Sequence, residues 1–211
     1  MIDFSGDIFA PDGRILLRSV ACKLERGGKV VVCGPNGCGK STLLRRIAGI
    51  GDISLQSTNK TLDKKISYIP TRPLDLLLPW LAVHENIIFF YTLANLNNDS
   101  NSPTLADQFS HALAGMGVDI NILAKRDVYH LSSGQQALIS LYCSLIQCPA
   151  IIVADEIFGT LSEKIRELVA HFFRDHCVTC LFASHDSKFV ADLGARILDL
   201  EPYIAHECIT K

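Results

Sequence analysis

The period of the apolar positions changes several times along the chain, and each change marks an element. Residues 1–30 read as short strands separated by turns, a small antiparallel sheet. Ile8-Phe9 and Ile15-Leu16-Leu17 flank the turn signal Pro11-Asp12-Gly13, and Arg26-Gly27-Gly28 makes a second turn. Val30-Val31-Val32-Cys33 is a continuous apolar run, as in a buried strand, and Thr42 to Ala48 follows with helical spacing and Gly49 as its stop. Asp52 to Lys65 is polar and irregular. Ile66-Ser67-Tyr68-Ile69 then reads as a strand ended by Pro70. From about Leu81 to Ile146 the period is helical, with a polar break at Asn95 to Pro103 whose centre, Asn97 to Ser102, has the composition of a flexible loop. Beyond Pro149 strands and helices alternate. Ile151 to Ala154, Val178 to Ala183 and Arg196 to Leu200 are strands, and Ser162 to Arg174 and Lys188 to Leu193 are helices. The pattern predicts a single α/β domain over 1–211, with a parallel sheet carrying helices on both faces. The helical middle, approximately 74–148, is inserted into that core.

Composition narrows the class. A chain of 211 residues is long enough for a sizeable core. A net charge of −2 implies no general affinity for nucleic acid. Mean hydropathy is high at +0.25, yet no apolar run reaches the ~18 residues of a membrane span. The nearest stretch, Leu74 to Leu96, is broken by Asp75, His84, Glu85 and Asn86. Such apolarity without a span points to burial against partner chains. The N-terminus lacks the basic-then-apolar pattern of a secretory signal, so the eight cysteines are expected as reduced thiols. Cys177 and Cys180 form a lone C-x-x-C with no second ligand pair.

Chemistry concentrates in a few segments. Gly34-Pro35-Asn36-Gly37-Cys38-Gly39-Lys40-Ser41-Thr42 matches G-x-x-x-x-G-K-[ST] between a strand and a helix, the context a phosphate-binding loop requires. Its backbone N–H groups and the helix N-terminus attract phosphate oxygens. Lys40 can reach the β- and γ-phosphates of a nucleoside triphosphate, and the Ser41 hydroxyl can ligate Mg²⁺. Oxidation or alkylation of Cys38 would block the loop. Asp155-Glu156 closes a buried strand at the end where doubly wound folds bind ligands. Asp155 can hold the Mg²⁺ shell, and Glu156 can polarise an attacking water. Leu131-Ser132-Ser133-Gly134-Gln135 opens a helix and offers a second anion-binding element, or an ordinary serine cap.

With these motifs in order, and Ser184-His185-Asp186 behind them, the chain resembles the ATP-binding subunit of ABC transporters over nearly its full length. The resemblance implies a P-loop NTPase core with an N-terminal antiparallel β subdomain and an inserted α-helical subdomain. It implies ATP and Mg²⁺ as ligands, a second ATP-binding subunit facing the first head to tail, and an integral-membrane permease as partner. The chain would sit on the cytoplasmic face of a membrane, peripheral through that permease. Ser132, Ser133, Gly134 and Gln135 would act on the partner's nucleotide, Glu156 would be the catalytic base, and His185 would contact the γ-phosphate. Phe9 falls where the family stacks an aromatic on adenine; a core or hairpin aromatic is the other reading. Pro79 to Ile87 is similar to the stretch at which the helical subdomain meets the permease.

The chain also departs from the family pattern. Thr71 stands where the family has a glutamine that contacts Mg²⁺. Ser133 replaces a glycine, Leu138 and Cys143 replace arginines, Ile157 a proline and Ser162 an aspartate. The departures cluster at coupling positions, so unusual coupling is expected. Three sublineages stay open: short heme-exporter ATPases, sulfonate or nitrate importers, and peroxisomal-type fatty-acyl transporters. A weakly hydrolytic ATP-binding partner in an asymmetric assembly and a non-transport member of the superfamily are the alternative functions.

Overall fold

The computed structural model describes residues 2–50, 65–95 and 104–205. The irregular stretch expected before Lys65 and the loop centred on Asn97 to Ser102 lie outside the described residues.

The N-terminal sheet is one hairpin. β1 (Ile2–Phe9) pairs antiparallel with β2 (Ile15–Leu24), with Ile2 opposite Leu24 and Phe4 opposite Cys22. Both strands are longer than the short segments expected from the turn signals. Their inward residues, Ile2, Phe4, Leu17, Val20, Cys22 and Leu24, keep a buried face over the whole length. Irregular pairing between Gly6 and Phe9, with Ser19 at φ 52°, absorbs the break in alternation.

The second sheet is parallel and built from β3 (Lys29–Cys33), β4 (Ile66–Ile69), β5 (Ile151–Asp155), β6 (Thr179–Ala183) and β7 (Arg196–Asp199), in the spatial order β4-β5-β6-β3-β7. Alternate residues face two cores. Val30 and Val32 enter the core shared with β1, β2 and α1 (Lys40–Ile47), and Val31 enters the other. In β5 Ile151 and Val153 take the first side, and Ile152 and Ala154 the second. Strands buried on both faces read as unbroken apolar runs, which is why these segments are legible in the sequence.

The second core holds the helices. α2 (Val83–Asn95), α3 (Leu105–Ala114), α4 (Ile120–Ala124) and α5 (Ser133–Ile146) lie between β4 and β5, as expected of the inserted helical middle. α6 (Glu163–Asp175) and α7 (Ser187–Leu193) complete that side. Phe158 stacks on Phe189 at 4.4 Å and meets Phe182 at 4.8 Å, fixing the turn after β5 to both neighbours. No helix among the described residues is long and apolar enough to cross a membrane.

Candidate functional site

Parallel pairing aligns the carboxyl ends of all five strands along one edge of the sheet. The segment after β4, the end of β5, the turn after β6 and the loop after β3 therefore meet there. The loop after β3 leads into α1 through Gly39 at φ 111°, a conformation that side chains avoid. A Cβ there would also lie 3.3 Å from Leu16 Cβ, so the hairpin packs directly behind the loop.

Lys40 is 6% exposed, and its ammonium is held inside the site. Nζ donates to Gly34 O at 3.0 Å and Pro35 O at 3.1 Å, and lies 3.4 Å from Glu156 Oε1. The same Oε1 is 2.9 Å from His185 Nε2. Glu156 reaches this position from a left-handed backbone at φ 53°, φ/ψ space in which a non-glycine residue is strained. Its N–H donates to Ala183 O at 3.2 Å, which ties the strained turn to β6.

Asp155 is fully buried beside it. Thr71 Oγ1 donates to Oδ2 at 2.9 Å, whereas Oδ1 has no hydrogen-bond partner. A buried carboxylate oxygen with no donor calls for a cation or a water, and that fits a divalent metal held by Asp155 with Ser41 at the start of α1. Tyr68 Oη, on the neighbouring strand β4, accepts from Arg45 Nε of α1 at 3.3 Å. Burial, opposed by that guanidinium, holds the Tyr68 phenol above its usual range.

The second candidate element lies elsewhere. Ser132 caps α5 in a reciprocal box: its Oγ accepts from Gln135 N at 3.3 Å, and Gln135 Oε1 accepts from Ser132 N at 3.0 Å. Gln136 Nε2 donates to Val128 O and Leu131 O, securing the entry to the helix. Gly134 is required by close approach, since a Cβ there would sit 2.8 Å from Thr160 O. Ser132, Gly134, Gln135, Arg126 and Ser162 line an open cleft of about 510 Å³. A separate cleft of about 610 Å³ is lined by Gly34, Pro35, Asn36, His185, Asp199 and Glu201. The two share no lining residue. The structure thus gathers residues 34–42, 155, 156 and 185 in one place and leaves Ser132 to Gln135 on another surface of the same chain.

The sequence matches a known family. The model described as "ABC transporter" covers residues 17–159. The chain belongs to the ABC transporter family. It is 31% identical over 200 residues to the aliphatic sulfonates import ATP-binding protein of Burkholderia thailandensis, an alignment covering 89% of this chain and 54% of that protein. Against the sulfate/thiosulfate import ATP-binding protein of Pseudomonas syringae pv. tomato, identity is 29%, over 86% of this chain and 59% of that protein. The chain therefore spans little more than half the length of these curated relatives. A solved dimeric bacterial ABC transporter cassette superposes with a TM-score of 0.71 at 24% identity, covering 95% of this chain and 94% of that one, and shows the fold.

Within the ABC family frame the departures acquire places. Thr71, at the glutamine position, does not reach out from the segment after β4; it is bonded back to Asp155. Leu138 and Ser162, where an arginine and an aspartate are expected, line the same cleft, so two opposite charges are missing together. Cys143 is fully buried in α5, and burial pushes its thiol far up. Ile157 is buried in the core under the turn. Phe9 ends β1, half-buried opposite Ile15, and does not line the phosphate-loop cleft.

Three contributors carry no motif in the sequence. Asn86 is fully buried, and its side chain bonds Leu78 N and O, Leu81 O and Ala82 O, holding the turn that displays Trp80. Leu200, just beyond β7, packs within 3.2 Å of where a Gly34 Cβ would stand. Thr160 sets the seat of the α5 N-terminus. Leu200 and Thr160 act through approaches from distant parts of the chain, and Asn86 acts within the turn that precedes α2.

Proposed function

We propose that the chain binds ATP with magnesium, hydrolyses it, and energises a separate membrane permease as the ATP-binding subunit of an ABC transporter. The observation that carries this reading is Glu156 Oε1 held between Lys40 Nζ at 3.4 Å and His185 Nε2 at 2.9 Å, beside a buried carboxylate with one open oxygen.

Each residue has a part that follows from its chemistry. The loop N–H groups and the α1 N-terminus bind phosphate oxygens, and Lys40 exchanges its carbonyl partners for the β- and γ-phosphates. Asp155 and Ser41 hold magnesium, which neutralises charge on the phosphates when bound. Glu156 accepts a proton from the attacking water, and His185 orients that carboxylate and meets the γ-phosphate. Phe9, at the end of β1 in the hairpin that packs behind Gly39, would stack on adenine.

Ser132 to Gln135 complete the site of a second subunit, because their cleft is separate from their own chain's phosphate loop. A permease covers the exposed apolar surface around Trp80, Ile88 and Phe89, which are 75%, 59% and 41% exposed. Through it the chain sits at the membrane. The import roles of the relatives support an uptake system.

ATP turnover by the assembled protein tests the reading. Glu156→Gln should keep nucleotide binding and lower kcat by about 10²- to 10⁴-fold. Equal turnover would remove Glu156 as the base.

A further inference from the structure

Thr71 lies two residues beyond β4, on the exposed rim of the sheet. β4 pairs in register with β5, Ile69 opposite Ala154, so the chain leaving β4 passes beside Asp155. There the Thr71 hydroxyl donates to Asp155 Oδ2 at 2.9 Å. Asp155 is fully buried, and its Oδ1 is left without a donor. A carboxylate on a short side chain can rotate about its last torsion, and a single hydrogen bond to one oxygen chooses its orientation.

We propose that Thr71 is a positioning residue for the metal-holding carboxylate: by occupying Oδ2 it presents Oδ1 of Asp155 as the free acceptor for magnesium carried by ATP. This rests on the magnesium–ATP reading above. Three features support a role beyond packing. Thr71 is exposed, so burial of its methyl group contributes little. Its hydroxyl is spent on a group that a neutral core contact would not require. The orphaned atom is the other oxygen of the same carboxylate.

The test uses the full chain and its Thr71→Val, Thr71→Ser and Thr71→Ala forms, each checked for an unchanged melting temperature. A fluorescent ATP analogue is titrated in EDTA and again in excess Mg²⁺, and bound Mn²⁺ is counted by electron paramagnetic resonance with ATP present. Loss of the hydroxyl in Thr71→Val should cut the Mg²⁺-dependent gain in affinity roughly tenfold, the scale of a hydrogen bond to a charged group. Affinity in EDTA should stay within about twofold. Thr71→Ser should restore the gain and the Mn²⁺ signal, and Thr71→Ala should follow Thr71→Val. The proposal is overturned if Thr71→Val and Thr71→Ala keep the full Mg²⁺ gain, if they lose affinity equally in EDTA and Mg²⁺, or if Thr71→Ser behaves as Thr71→Val. Wild-type protein that binds no nucleotide in either condition overturns the magnesium–ATP reading itself and this proposal with it; nucleotide binding with an unchanged Thr71→Val overturns the proposal alone.

Discussion

The carboxyl edge of the parallel sheet and the N-terminus of α5 both present polar groups, but in opposite states. At the sheet edge the charges are buried: Lys40 is 6% exposed, Asp155 is fully buried, and one oxygen of Asp155 is unsatisfied. At α5 the polar groups are exposed and already bonded to one another through the Ser132–Gln135 box. The first is a buried charge cluster with one acceptor left open. The second is a surface whose polar groups are already paired with one another. Desolvated charge is costly unless paired, so the sheet edge is where ligand binding has most to change.

Substitutions sharpen this contrast in descending order of effect. Glu156→Gln should abolish most turnover while retaining nucleotide binding, the largest separation of the two properties available. Phe158→Ala should follow, at about 3–5 kcal/mol of stability in denaturant unfolding, because this ring is 1% exposed and joins β6 and α7 beneath the turn between the two regions. It should weaken both regions together; loss confined to one would mean that they are mechanically independent. Gly134→Ala places a Cβ 2.8 Å from a backbone oxygen, and overpacking of that kind costs about 1–3 kcal/mol. Nucleotide binding at the sheet edge should survive it while turnover falls, since only the surface offered to a second subunit is displaced. Ser132→Ala removes one half of the capping box, and thermal unfolding should show a loss of about 1 kcal/mol. Trp80→Ala should leave stability within about 0.5 kcal/mol and turnover by the isolated chain unchanged, because the side chain is 75% exposed. Its effect should appear only on recovery with a membrane partner.

Much of this arrangement is legible in the chain itself. Val30 to Cys33 and Ile151 to Ala154 are apolar throughout because both faces are covered, and the loop, the Asp155-Glu156 pair and the α5 cap are contiguous in sequence. The full length of the hairpin is not legible, because the irregular pairing around Gly6 to Phe9 interrupts its alternation although the buried face continues. Thr71 is readable only as a departure from a family pattern. Its bond to Asp155 depends on β4 and β5 being neighbours, and they are separated by the whole helical middle. The joint loss of charge at Leu138 and Ser162 is visible only once both line one cleft.

By itself, then, the sequence determined which segments are strands and helices and which residues carry the phosphate-loop motif, because period and motif are local properties. The tertiary structure decided which of those residues share a site. Parallel pairing sends every strand to the same edge, so Thr71, Asp155, Glu156, His185 and Lys40 converge there. The N-terminus of α5 opens on a different surface. Convergence depends on strand order and register, which are set by long-range burial of both sheet faces and not by any residue's neighbours in the chain.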